Sequence, residues 1–213
     1  MARRARIVVP GLPHHVTQRG SRRMTIFLSP SDYYVYLSIL RRQARRLDLK
    51  IWVYCLMPNH VHLIAQPSCL SGLARPLGEA HRLYSQHINR REGWSGHLWQ
   101  ERFCSFPMDE LHLLRAIRYV LLNPVRAGLG RRAQDWPYSS ARSHLSGTLD
   151  PLITSQPLSE RIEDWIGLLS LPQSPQTLTL VRKHSSTGRP LGSENFRKTI
   201  EAKETKQAVS SNG

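Results

Sequence analysis

The chain has 213 residues, of which 40% are apolar, and its 30 Lys plus Arg against 15 Asp plus Glu give a net charge of +15. That length and apolar content suit one ordinary domain with a packed core and exclude wholesale disorder. No apolar run approaches the roughly 20 residues that span a bilayer, and only Ile7, Val8 and Val9 lie between the basic start and Pro10, too few for a signal peptide, so no membrane partner and a cytoplasmic location are expected.

Cys55, Cys69 and Cys104 form no C-x-x-C pair, which argues against a disulfide framework or a thiolate zinc finger, and they read as buried thiols. Arginine supplies 25 of the 30 basic residues. Its planar fork grips phosphate and stacks on bases, which favours a nucleic-acid partner, although a GC-rich coding sequence gives the same bias. Residues 1–147 hold 22 basic and 8 acidic residues, whereas 148–213 hold 8 and 7. The excess belongs to the first two-thirds.

In chain order, His15–Arg19 and Met24–Phe27 read as strands joined by the basic turn Gly20-Ser21-Arg22-Arg23. Ser29-Pro30 supplies an N-cap and a first-turn proline for a helix to about Arg46, with Tyr33, Tyr36, Leu37 and Leu40 on one stripe. Ile51–Leu56 and His60–Gln66 are strands about a Met57-Pro58-Asn59 turn. A helix over about Leu73–Arg91, a strand within His97–Phe106 and a helix from about Met108 to Leu122, stopped by Asn123-Pro124, complete the unit. The alternation predicts an α+β fold with a mainly antiparallel sheet and helices on one face. Past Gly147, Pro, Ser and Thr surround one helical stretch, Leu158–Leu169. Residues 1–147 are therefore expected to form the main domain, 148–200 an appendage, and 201–213 a disordered tail.

His60-Val61-His62 concentrates the chemistry. On a strand, residues i and i+2 share a face, so both imidazoles point together, away from Val61 and Leu63. Two neutral imidazoles make half a site for a divalent metal, though two histidines on a solvated strand face give the same pattern. On the third helix the apolar stripe is Leu113, Leu114, Ile117, Val120 and Leu121, and Tyr119 falls about 120° away beside His112, Arg115 and Asn123. Tyr119 and Asn123 stand one turn apart. An exposed tyrosine lying over its neighbours fits that placement, and so does a nucleophile beside a His-His-Asn metal site. A phenol with a pKa of about 10 needs a Lewis acid on the phosphate it attacks, and the phosphotyrosine formed conserves bond energy for rejoining strands.

Met57-Pro58-Asn59-His60-Val61-His62-Leu63-Ile64 resembles the histidine-hydrophobic-histidine strand of the single-tyrosine HUH transposases, and Arg118-Tyr119-Val120-Leu121-Leu122-Asn123-Pro124 their nucleophile helix. The similarity is closest to the REP-associated tyrosine transposases. It extends to His15–Gly20, Trp99–Phe103, Trp136–Ser140 and Gly188-Arg189-Pro190-Leu191-Gly192. The resemblance implies a ferredoxin-like sheet, His60, His62 and Asn123 as ligands of Mg²⁺ or Mn²⁺, and Tyr119 as nucleophile. It also implies a bacterial cytoplasmic enzyme, at the nucleoid when bound to DNA. The implied reaction is cleavage of single-stranded DNA beside hairpins of repetitive extragenic palindromes, leaving a 5′-phosphotyrosine and a free 3′-hydroxyl. Many insertion-sequence relatives carry Gln where this chain has the shorter Asn123. Whether such a protein acts as monomer or homodimer stays open.

Arg19, Arg22 and Arg23 flank a glycine turn in a stretch of 31 residues without an acid and suit a phosphate-backbone clamp. Arg126 and Arg189 join them as candidate DNA contacts through the resemblance. Each, taken singly, also fits a solvated surface. The other reading of the whole pattern is a DNA-binding regulator on the same fold without chemistry, against which the intact His60, His62 and Tyr119 set argues.

Overall fold

A computed structural model describes residues 6–154 and 156–210. Strands β1 (His14–Arg19), β2 (Leu49–Met57), β3 (His60–Pro67) and β4 (Cys104–Pro107) pair antiparallel in the order β2-β3-β1-β4. Helix α1 (Pro30–Arg46) connects β1 to β2, and α2 (Ala74–Glu92) connects β3 to β4. This β-α-β-β-α-β order, with β1 and β3 central, is the ferredoxin-like arrangement that the resemblance implied, and the α+β class holds.

Side chains alternate across the sheet. Val16, Tyr54, Leu56, Val61, Leu63 and Ala65 pack against Tyr33, Tyr36 and Leu40 of α1 and Leu77, Ala80 and Tyr84 of α2. On the opposite face Val53, Cys55, Ile64 and Phe106 meet Leu113, Ile117 and Val120 of α3 (Glu110–Leu121). Helices thus cover both faces, whereas one covered face was expected. The near-continuous apolar runs of β2 and β3 have this physical meaning: a strand buried on both sides needs no polar alternation.

Short α4 (Asn123–Arg126), α5 (Ala141–Ser146), α6 (Gln156–Ser159) and α7 (Trp165–Ser170) follow, then α8 (Pro175–Thr187) and α9 (Glu194–Ser210). Leu158, Val181 and Leu191 share the α3-side core, so the segment after Gly147 packs on the sheet domain. Leu191 donates its N–H to Pro107 and accepts from Asp109 at 3.0 and 3.2 Å, running along the free side of β4.

Several local expectations change. Met24–Phe27 is not a strand: Ser21–Arg23 forms a 3₁₀ turn with Arg22 and Arg23 at φ +51° and +63°, and Ile26 donates to the Pro58 carbonyl instead of to a sheet partner. Within His97–Phe106 the ladder begins only at Cys104, while Trp99 makes one bridge to Gly20. The helix expected over Leu158–Leu169 divides into α6 and α7, the second capped by Asp164 accepting from Gly167 N–H at 2.8 Å. Helix α9 enters the stretch expected to be disordered, and residues 211–213 lie outside the described ones. Of the three free cysteines only Cys55 is buried; Cys104 is half-buried and Cys69, on the turn after β3, is exposed. No described helix is long and apolar enough to cross a membrane.

One buried carboxylate ties the first two helices together. Asp32, fully buried, accepts from the N–H groups of Leu28 and Ser29 at 2.8 and 2.9 Å, closing the start of α1. Arg91, in the last turn of α2, grips the same carboxylate with two donors. Burial opposes its ionisation, but Arg91 and these N–H groups together hold its pKa below the usual carboxylate value. The folded state therefore gains from the charge above the unfolded pKa, near 4, and loses that gain as pH falls through the lower folded value. Asp32→Asn should cost about 2 kcal/mol at pH 7 in urea unfolding, with the difference from wild type shrinking as the pH drops below about 4. A difference that is the same at pH 7 and pH 3 would show that the ion pair is not its source.

Candidate active site

The β1–β3–β4 register builds one wall of a cleft. Arg19 lies opposite His60, and Thr17 lies opposite both His62 and Cys104, so these side chains share the α3 face of the sheet. The His60 and His62 rings stand 4.8 Å apart at 83°, as the two-residue period of β3 predicts. Tyr119 projects from α3 onto the same site, its ring centroid 5.7 Å from that of His62 and 6.0 Å from that of His15. The cleft, about 460 Å³, is lined by Thr17, Arg19, His60, His62, Cys104 and Tyr119 together with Arg23, Glu101, Arg102 and Arg182, while His15 lies buried behind it.

Tyr119 was expected on a polar helix face, and its polar neighbours are there, but it is only 7% exposed. The reason is a third layer. Arg126 of α4 lays its guanidinium 4.5 Å from the Tyr119 ring centroid, donates to the Tyr119 carbonyl at 2.6 Å and reaches the Gln173 side chain. Burial lowers the pKa of Arg126. Its charge is committed to holding the tyrosine in place.

Each histidine uses Nδ1 on a neighbour. His60 Nδ1 lies 2.6 Å from Asn59 Oδ1, and His62 Nδ1 lies 3.0 Å from His15 Nε2. Neither Nε2 has a hydrogen-bond partner among the described residues. Burial pushes the His60 pKa down to about 4 and that of His15 to about 3, and it sends His62 well below the ordinary value, with the nearby His60 and His15 adding to it. At neutral pH all three rings are uncharged, the state in which imidazole binds a cation. The two cleft histidines thus fit a divalent metal that accepts nitrogen ligands. Among the described residues no three His, Cys, Asp or Glu side chains are arranged so that together they could hold a metal ion, so further donors would be amide, water or substrate oxygens. Asn123 opens α4 and does not line the cleft, although its side-chain Nδ2 is buried without a partner. The fold leaves that amide uncommitted.

The remaining candidates separate by position. Arg19, Arg22 and Arg23 are exposed at the end of β1, and Arg19 and Arg23 reach the cleft. Arg189 follows Gly188, the left-handed cap of α8 at φ +67°, and pairs with Glu201 at 3.4 Å rather than entering the cleft. Arg182, Ser185 and Ser186 of α8 line the cleft instead. Sequence reasoning missed them because α8 was not recognised, although Ser174-Pro175 is the same cap-and-proline signal as Ser29-Pro30. His15 was missed as a site residue; its signal was a histidine on the strand that pairs with the His-x-His strand.

The family model described as Transposase IS200 like matches residues 9–122, which include His60, His62 and Tyr119. The chain belongs to the IS200-like transposases. It is 26% identical over 143 residues, 62% of this chain and 75% of the relative, to a Haemophilus influenzae protein named as a REP-associated tyrosine transposase. Its fold is similar to that of a REP-associated tyrosine transposase solved with a REP hairpin, with a TM-score of 0.58 and 19% identity over 73% of this chain and 92% of that one. A Deinococcus radiodurans crystal structure described as a transposase aligns over 56% of this chain and 95% of its own, at 21% identity and a TM-score of 0.39. The match of the family model ends before Asn123 and α8, so this transposase carries part of its cleft wall on elements outside the matched stretch.

The turn that carries the basic residues has no spare space. A Cβ on Gly20 would lie 2.5 Å from the Met24 carbonyl oxygen and 2.6 Å from Ile26 Cγ2, while one on Gly78 of α2 would meet nothing within 4 Å. Gly20 also donates to the Asn59 carbonyl at 2.9 Å, next to the side chain that holds His60. Gly20→Ala should destabilise by about 1–3 kcal/mol, whereas Gly78→Ala should stabilise by up to about 1 kcal/mol. Urea midpoints check both, and shifts of the same sign would contradict the packing described.

Proposed function

We propose that this transposase cleaves and rejoins single-stranded DNA beside hairpins of the repetitive extragenic palindrome type, through a covalent 5′-phosphotyrosine on Tyr119. Mg²⁺ or Mn²⁺ would be held by His60 and His62, with Asn123 as a further ligand after a rearrangement of the α3–α4 joint. The observation that carries the reading is the meeting of the Tyr119 ring and the neutral His60–His62 pair in one arginine-lined cleft. The fold it shares with a REP-associated tyrosine transposase bound to a REP hairpin supports the choice of substrate.

In this reading the Tyr119 oxygen attacks phosphorus as its phenolic proton is lost to solvent, the bond from phosphorus to the 3′-oxygen breaks, and that oxygen takes up a proton from solvent so that the strand leaves with a free 3′-hydroxyl. The 5′ phosphate stays on the tyrosine, and attack by a 3′-hydroxyl reverses the step. A bound divalent metal would polarise the phosphate oxygens and offset the charge that develops on them. The protein's own share is positional and electrostatic. Arg19, Arg23, Arg102 and Arg182 draw the backbone into the cleft, where opposite charge gains from lowered water access. Arg126 restricts the tyrosine to one approach, so little conformational freedom is lost when the phosphate arrives. The buried rings of His60 and His62 are uncharged and do not repel a cation.

The test is incubation with a hairpin oligonucleotide labelled on the 3′ side of the cut, followed by a denaturing gel. Wild type with Mn²⁺ should move label onto protein, and EDTA or Tyr119→Phe should reduce the shifted band by at least about a thousandfold, the scale expected when a nucleophile is removed. An undiminished band from folded Tyr119→Phe contradicts the assignment of the nucleophile.

A further inference from the structure

We infer that His15 and Ser185 hold the proton of His62 on Nδ1, leaving the Nε2 lone pair to the cleft, and so act as positioning residues for a bound cation; this rests on the reading of His62 as a ligand. The direction of the chain follows from its far end. The Val181 carbonyl can only accept, and Ser185 Oγ lies 2.8 Å from it. A hydroxyl has one proton, and the much shorter contact assigns it to Val181, which leaves Ser185 as the acceptor for His15 Nδ1, 3.4 Å away. His15 therefore carries its proton on Nδ1, and its Nε2 is a bare acceptor. Across the 3.0 Å contact His62 Nδ1 must be the donor. A neutral imidazole protonated on Nδ1 presents its lone pair on Nε2.

Packing keeps the chain in this order. The His15 and His62 rings are near parallel, 11° apart with centroids at 5.2 Å, and Phe106 closes the other side of His15 edge-on at 5.2 Å. His15 is fully buried, and Ser185 stands between its Nδ1 and the cleft. Metal-bound histidines elsewhere commonly direct the second ring nitrogen to a carboxylate or carbonyl, which fixes the tautomer, and loss of that partner lowers metal affinity about 10–100-fold. Here the anchor is a backbone carbonyl of α8, reached through a serine and a second histidine. The C-terminal segment thereby acts on an N-terminal strand.

Long-range ¹H–¹⁵N correlation spectra of the metal-free full chain, labelled at histidine, read the proton's position directly. We expect His62 with a protonated Nδ1 and a bare Nε2; the opposite assignment in wild type overturns the inference whatever the metal does. In His15→Phe the His62 proton should redistribute toward Nε2, and Mn²⁺ affinity, followed by the electron paramagnetic resonance of free Mn²⁺, should fall about 10–100-fold. His15→Gln, whose side-chain oxygen can accept the same proton, should retain most of the affinity, and Ser185→Ala should lose less than His15→Phe. Equal affinity in wild type and folded His15→Phe also overturns it. A wild type that takes up no Mn²⁺, or a His60→Ala variant that binds it equally well, would instead overturn the metal reading, and the metal-free spectrum would still decide where the proton sits.

Discussion

The two-residue period of β3, locked between two paired neighbours, is the constraint on which the site depends. Val61, Leu63 and Ala65 enter the layer under α1 and α2, while His62 and Ile64 face α3. A slip of one residue against β1 would carry both imidazoles into an apolar core and three apolar side chains into the cleft. That exchange would bury polar rings without partners and expose apolar surface, each at a cost of kcal/mol. The register is therefore held by the whole core, and the shared face of the two imidazoles follows from it.

The two covered faces of the sheet have different duties. The α1–α2 face is tied by the buried Asp32–Arg91 contact and by the aromatic packing of Phe27, Tyr33, Tyr36 and Tyr84. It is a rigid backing. The α3 face keeps polar groups buried next to a basic opening, which a solvated sheet surface would not do. Desolvation there neutralises three histidines, and Arg126 packs over the Tyr119 ring. A group held this way needs little reorganisation when a phosphate arrives, the usual source of catalytic advantage in a partly dry cleft.

Much of this was legible in the sequence because it rests on local period and local chemistry. The His-x-His strand, the Ser29-Pro30 start of α1 and the stop at Asn123-Pro124 need only the spacing of side chains. What could not be read depends on contacts distant in sequence. Tyr119 is buried under Arg126, which Gln173 holds from the other side, and a helix angle alone cannot see that. Arg189 is drawn to Glu201 by a helix whose place along β4 is set by Leu191. The net charge likewise located the basic two-thirds of the chain, but it missed Arg182, which comes from the near-neutral remainder and lines the cleft.

The claim at the centre of this account is that Tyr119, rather than another of the seven tyrosines, receives the DNA phosphate. Proteolysis of the covalent adduct followed by tandem mass spectrometry measures this directly. The account predicts the nucleotide mass on the peptide that contains Tyr119, with fragmentation placing it on that ring. Modification of Tyr34, which is 60% exposed and therefore the most accessible competitor, or of any residue outside the cleft, would contradict it.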